Sequence, residues 1–206
     1  MTKTEKATRW MENVARDNAH GYDKDFRWGQ RGDYDCSAAT ITAWEKAGVP
    51  VKSAGAVNTS NIYEVFTDNG FKDVTAKVNL NSGKGLKRGD VLIRKGRHVA
   101  MYCGAGKEVE ASINEMGTGR GGKPGDQTGR EFLIRSYRNY PWSHVLRYSE
   151  GVFVKKSVRK ADRIEKVARE VIAGKWGNGA ERFQRLKKAG YDPDKVQKKV
   201  NELLRH

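Results

Sequence analysis

Apolar residues recur at helical spacing near the start of the chain, where Ala7, Trp10, Met11, Val14 and Ala15 fall on one face. Thr2 and Glu5 are spaced to form a capping box at the head of that helix. The following stretch, AHGYDKDFRWGQRGDYD, is polar and irregular. A second helix begins at CSAATITAWEK, with Asp35 as its N-cap and Gly48 and Pro50 ending it. A third, in SNIYEVFTDNG, stops at Gly70.

Beyond residue 86 the period changes from helical to alternating. DVLIR, HVAMYCG and EVEASI are short, apolar or alternating, and parted by glycine-containing turns, which predicts a three-stranded antiparallel meander. GTGRGGKPGDQTG is a long glycine-rich loop, read either as the wall of a pocket or as a mobile surface excursion. EFLIRSY and HVLRY predict two more strands. A helical half before a sheet half is the order of an α+β domain, placed at residues 1–149. A basic stretch without strong periodicity, 150–160, reads as a linker. Residues 161–206 then predict a small three-helix unit, with Gly174 and Gly190 stopping the first two helices. Asp192 caps the third, with Pro193 at its first position.

Composition narrows the classes. Of 206 residues, 37% are hydrophobic, so the chain folds. Its net charge of +15 draws it to polyanions in general: nucleic acid, anionic membrane or the anionic polymers of a bacterial wall. No run of apolar residues is long enough to span a membrane. The N-terminus lacks the apolar core of a secretory signal, so synthesis in the cytoplasm is expected. Two cysteines make no disulfide framework.

One of those cysteines stands out. Cys36 directly follows the capping Asp35, in the first helical turn. Free N–H groups and the positive end of the helix dipole there stabilise a thiolate. Cys103, on an alternating strand, reads as a small buried hydrophobe. A thiol nucleophile needs a base. His20 lies in a loop, His206 ends the chain and His144 starts a late strand, whereas His98 opens the middle strand of the meander. Alternation places His98, Ala100 and Tyr102 on one face. A turn about Gly104–Ala105–Gly106 adds Glu108, Glu110 and Ser112 to that face. Glu110 is then within cross-strand reach of His98, and a one-residue slip would move it to the other face.

Asp23, Asp25, Asp33 and Asp35 make a calcium site conceivable, but their spacing is not that of an EF-hand, and an acidic, solvated loop is the preferred reading. Histidine and cysteine spacing supports no zinc site. No metal or cofactor is expected.

The stretches DYDCSAA and RGDVLIRKGRHVAMYCGAGKEVEAS resemble the NlpC-type cysteine peptidase family, which is papain-like. That family shows Asp-Cys-Ser at the head of a helix, then Gly-Asp, then His-Val opening a strand. A polar residue follows twelve positions after the histidine. Here it is Glu110, where much of the family has histidine and the related CHAP amidohydrolases are closer. Many members carry a tyrosine nearer the cysteine, where this chain has Phe26; Tyr22 is the substitute expected here. Separately, GKWGNG, AGYD and VQKKVN are together similar to the wall-binding repeat that ends some pneumococcal phage lysozymes. The resemblances imply an endolysin-type peptidoglycan hydrolase that cuts an amide of the wall peptide. Cys36, His98 and Glu110 would be catalytic, and Tyr22, Asp35 and Ser37 would serve the oxyanion or substrate. Endopeptidase and amidase remain equally open. The repeat would bind the wall through the flat face of Trp176, with Asn178 and Arg182 bonding amide and carboxylate groups. The expected partners are peptidoglycan and anionic wall polymers, not nucleic acid. A single repeat implies modest affinity unless the chain forms a homo-oligomer. The missing signal fits a lysin that reaches the wall after release by another protein. Two rivals remain: a wall-binding protein without catalysis, and a basic module for DNA.

Overall fold

The computed structural model describes residues 1–150 and 164–204. The expected basic linker, from residue 151 on, and the terminal His206 lie outside the described residues. The chain divides into two compact units, Met1–Glu150 and Gly151–His206.

In the first unit, helices α1 (Lys3–Val14), α2 (Cys36–Lys46) and α3 (Ile62–Asp68) precede a six-stranded antiparallel sheet. Its strands are β1 (Phe71–Asp73), β2 (Val91–Arg94), β3 (His98–Gly104), β4 (Lys107–Ala111), β5 (Phe132–Ser136) and β6 (His144–Tyr148). Their spatial order is β1-β6-β2-β3-β4-β5. The predicted meander is β2-β3-β4, and β5 extends it. The last strand crosses back to pair with β2, and on its other side it takes up β1, a three-residue strand too short to show a period.

Local chemistry explains the helix ends. Thr2 Oγ1 accepts the N–H of Glu5 at 3.1 Å, and Asp35 Oδ1 accepts that of Ala38 at 2.7 Å. Each satisfies an N–H that has no acceptor inside its own helix. Gly48, just past α2, has φ +84°, a left-handed turn that costs glycine nothing.

Helix α2 is buried almost all round, from Cys36 to Trp44. It packs between α1 and the strands β3 and β4. Ala38, Ala39 and Ala43 let its neighbours approach closely, while Trp44 fills the space against Phe71 and Tyr148, with ring centroids 4.7 and 5.2 Å away. Val91, Ile93, Val99, Met101 and Val109 turn their side chains into this core. Their alternates Leu92, Ala100 and Tyr102 join Trp142 and Val145 in a second, smaller cluster. Arg88 ties α1 to the sheet, bonding Glu5 and Glu12 on the helix (2.7 Å each) and the Cys103 carbonyl at 2.6 Å.

In the second unit, residues 164–172 form α4, followed by α5 (Gly179–Lys188) and α6 (Pro193–Leu203). Val167, Ala168, Val171, Leu186, Val196 and Val200 share one small core.

The indole Nε1 of Trp44 is buried and has no hydrogen-bond partner among the described residues. Its value is therefore volume, not polarity. Trp44→Ala is expected to cost about 4 kcal/mol of stability. Trp44→Phe, which loses no hydrogen bond, is expected to cost less than half of that, about 1–2 kcal/mol. Urea unfolding of the two variants checks the ranking, and equal losses would contradict it.

Candidate active site

The head of α2 places Cys36. Asp35 occupies the N-cap, and its carboxylate is fully engaged by its own neighbours. It accepts from the Ser37 hydroxyl at 2.8 Å as well as from Ala38, and it pairs with Arg27 Nε at 3.0 Å. Arg27 also donates to Ser37 Oγ at 3.0 Å and to the Val57 carbonyl. Asp35 and Ser37 thus fix the loop before α2 against the helix, and both side chains are already spent on these contacts.

Strand β3 places His98. The register Tyr102↔Glu108 and Met101↔Val109, continued along the ladder, sets Glu110 across from Ala100 and diagonal to His98. His98 Nε2 meets Glu110 Oε2 at 2.5 Å. That leaves Nδ1 as the ring nitrogen open to Cys36, which lies close enough to His98 to raise its pKa. The imidazole also lies edge-on to Tyr140, 5.2 Å between centroids, and stacks with Trp142 at 6.0 Å. These rings restrict its rotation and exclude water.

The charges are balanced inside the protein. Burial is the strongest influence on His98 and disfavours its charged form. Interactions with Cys36 and Glu110 outweigh it and raise the pKa to about 10. Glu110 has no solvent exposure, and burial pushes its pKa up. His98, Arg138 and Arg135 reverse that and hold it below the usual carboxylate range. Arg135 Nη1 and Arg138 Nη2 each lie 3.1 Å from Glu110 Oε1, while His98 takes Oε2. A thiol, a charged imidazole and a buried carboxylate in series are able to supply a nucleophile, a proton donor and an orienting group. Cys103 is kept apart from this chemistry: burial raises its thiol to about 11.

Tyr22 is buried close enough to Cys36 to feel its charge, and burial raises its phenol above the ordinary range. Its N–H donates to Glu131 Oε2 at 3.3 Å. Asp33 Oδ1 accepts from Gly21 and Gly125, at 2.8 and 2.9 Å. The glycine-rich loop is therefore tied to the Tyr22 segment, not a mobile excursion. A Cβ on Gly21 would stand 2.1 Å from the Gly125 carbonyl oxygen, so the contact needs glycine. The expectation of a solvated acidic loop is likewise corrected. Asp23, Asp33 and Asp35 are buried because each caps backbone N–H groups; Asp23 accepts from Asp25 and Phe26, and Asp25 pairs with Arg120. Among the described residues no cluster of three or more His, Cys, Asp or Glu is placed to hold a metal ion.

Sequence reasoning missed Arg27, Arg135, Arg138, Glu108 and Glu131. Parity marked Glu108 as a face-mate of Glu110. The arginines needed the β4–β5 register, Glu110↔Leu133 and Glu108↔Arg135, which closes across a loop of some twenty residues and carries no period.

In the second unit Trp176 is half-buried. Its Nε1 donates to Glu170 at 3.0 Å, and its ring meets Tyr191 edge-on at 5.8 Å. One side of it lines an open depression with Glu170, Lys175, Arg185 and Lys188. Asn178 caps α5 by position but makes no side-chain cap bond, and neither it nor Arg182 lines that depression.

Residues 29–109 match the endolysin-like domain, and residues 165–204 match the CW_7 repeat. Over 37 residues the chain is 65% identical to a lysozyme of Streptococcus phage Cp-7. That match takes in 18% of this chain and 11% of the lysozyme, so the chain spans only about a tenth of that relative. The P60 domain of an antigen from M. avium subspecies paratuberculosis aligns with 70% of this chain and 96% of its own. The TM-score is 0.41, with 16% identity. No helix among the described residues is long and apolar enough to cross a membrane.

The raised His98 pKa makes the site a pH-dependent source of stability. An unfolded histidine titrates near 6.5 and the folded one near 10. The contribution is full below 6.5 and is lost as pH rises through 10. The stability gap between the wild type and His98→Gln is thus expected to be widest below pH 6.5 and to narrow toward pH 10. A gap that stays constant in urea titrations across this range would contradict the charged histidine.

Proposed function

We propose that this protein is a peptidoglycan hydrolase of the endolysin type, acting on an amide of the wall peptide with Cys36 as nucleophile. The observation that carries the reading is Cys36 at the head of α2 beside a His98 that is hydrogen-bonded to the fully buried Glu110. In this mechanism the Cys36 thiolate attacks the amide carbonyl, and the first-turn N–H groups of α2 stabilise the oxyanion. Tyr22, on the neighbouring wall, assists there. The His98 imidazolium protonates the leaving amine. Water, deprotonated by the now neutral His98, then hydrolyses the thioester, releasing the acid and restoring the Cys36 thiolate beside the His98 imidazolium. Glu110 holds the imidazole and stabilises its charge throughout.

Three further readings belong to this proposal. Residues 1–149 form a papain-like catalytic domain, in which a buried helix presents the cysteine to a strand-borne histidine. Residues 161–206 form a three-helix wall-binding repeat, in which Trp176 offers the exposed side of its ring to a sugar, with Asn178 and Arg182 nearby in sequence for polar groups. The net charge of +15 favours approach to anionic wall polymers. The same thiol chemistry serves an endopeptidase or an amidase, since the shape around Cys36 selects the bond.

Digestion of purified Gram-positive sacculi, with mass spectrometry of the soluble products, tests this. The wild type is expected to release peptide-bearing fragments whose new termini name the bond. Cys36→Ala is expected to release them at least about 1,000-fold more slowly while still sedimenting with sacculi. Equal release by both proteins would overturn Cys36. Binding without release by the wild type would leave a wall-binding protein.

A further inference from the structure

Glu108 has no solvent exposure, and neither of its carboxyl oxygens has a hydrogen-bond partner among the described residues. A buried carboxyl without such partners is costly, and glutamine or an apolar side chain would fit the same strand position with less penalty. Its surroundings suggest what the acid does. Tyr102 on β3 stands across from it, and Arg135 on β5 stands across on the other side. Glu110 follows two residues along on the same face. Arg138, just beyond β5, spans the two acids: its Nε is 3.4 Å from Glu108 Oε1 and its Nη2 is 3.1 Å from Glu110 Oε1. The first contact is close enough for charge attraction but is not aligned as a hydrogen bond. Tyr137 completes the surroundings, edge-on to Tyr102 at 6.1 Å, with its hydroxyl donating to the Leu80 carbonyl.

We propose that Glu108 is a positioning residue that sets the charge on His98 by competing with Glu110 for Arg138. The proposal rests on the reading of Cys36 and His98 as the reacting pair. When Glu108 is protonated, Arg138 neutralises Glu110 alone. When Glu108 ionises, Arg138 is shared between two carboxylates, while Arg135 stays on Glu110. Net negative charge then grows beside Glu110, and the imidazolium of His98 is held more firmly. Burial, and then the charge of Glu110, push the Glu108 carboxyl up to about 7, so the change falls near neutral pH. The facing groups of fixed charge, Arg135 and Arg138, oppose that rise without cancelling it. The result is a thiolate–imidazolium pair that persists further into alkali than Glu110 alone would allow.

The test uses the full chain and no wall substrate. Alkylation of Cys36 by iodoacetamide is followed from pH 4 to 11, with the modified peptide identified by mass spectrometry to separate it from Cys103. The rate rises once as the ion pair forms and again as His98 loses its proton. In Glu108→Gln the upper step is expected to move down by at least half a pH unit, about a threefold loss in proton affinity. A slower rate at every pH with both steps in place would overturn the proposal and leave Glu108 a structural residue. Carbon NMR of the wild-type carboxyl groups gives a reading that needs no variant. Glu108 is expected to titrate near neutrality with a matching inflection in the His98 signals. Titration in the ordinary carboxylate range, or no inflection in His98, would also overturn it. If sacculi stay intact while the upper step still moves, the proposed hydrolase falls and the role of Glu108 stands.

Discussion

A carboxylate removed from water must be given its counter-charges by the fold, and Glu110 is in that position. Its exposure is zero, yet it remains ionised because His98 occupies one oxygen and Arg135 and Arg138 crowd the other. The arrangement demands that four elements arrive together. Strand β3 brings the histidine, β4 the acid, β5 and the segment after it the two arginines. Helix α2 supplies the thiol beside the histidine. Removing any one cation would leave the buried carboxylate under-compensated, a larger loss than the missing contact itself. The site is therefore a constraint on the sheet as much as a product of it.

The surrounding structure serves that constraint. Helix α2 is buried on nearly all sides, so the position of Cys36 is set by packing and not by a flexible loop. The Asp35 cap and its Arg27 partner fix the start of the helix to within a turn. Across the site, Asp33 and Glu131 tie the glycine-rich loop to the backbone of Gly21 and Tyr22. Three buried acids thus hold three loops and helix heads by their N–H groups, which is where a chain rich in basic residues spends part of its scarcer acidic ones.

Much of this was legible in the sequence, and the reasons are local. The period of Ala7, Trp10, Met11 and Val14, the cap at Asp35 and the alternation in HVAMYCG are properties of a few adjacent residues. The pairing of His98 with Glu110 was accessible because the tight turn after Gly104 and the irregularity between Tyr102 and Gly104 together leave Tyr102 across from Glu108, as a simple turn about Gly104–Ala105–Gly106 predicts. Three features were not legible. The return of β6 to the side of β2 depends on packing across the whole sheet. Strand β1 has only three residues, below the length at which a period can show. Arg135 and Arg138 reach Glu110 by a register set across a long loop, and the burial of Asp23 and Asp33 follows from backbone donors that no side-chain pattern reveals.

The central claim is that Glu110 keeps His98 charged beside Cys36, and the histidine's own titration tests it most directly. Nitrogen NMR of the His98 ring would be recorded from pH 5 to 11 in the wild type and in Glu110→Gln. The account predicts an imidazolium that persists to about pH 10 in the wild type and titrates at least about one unit lower in the variant. A wild-type His98 that titrates near 6.5, unchanged by Glu110→Gln, would contradict it.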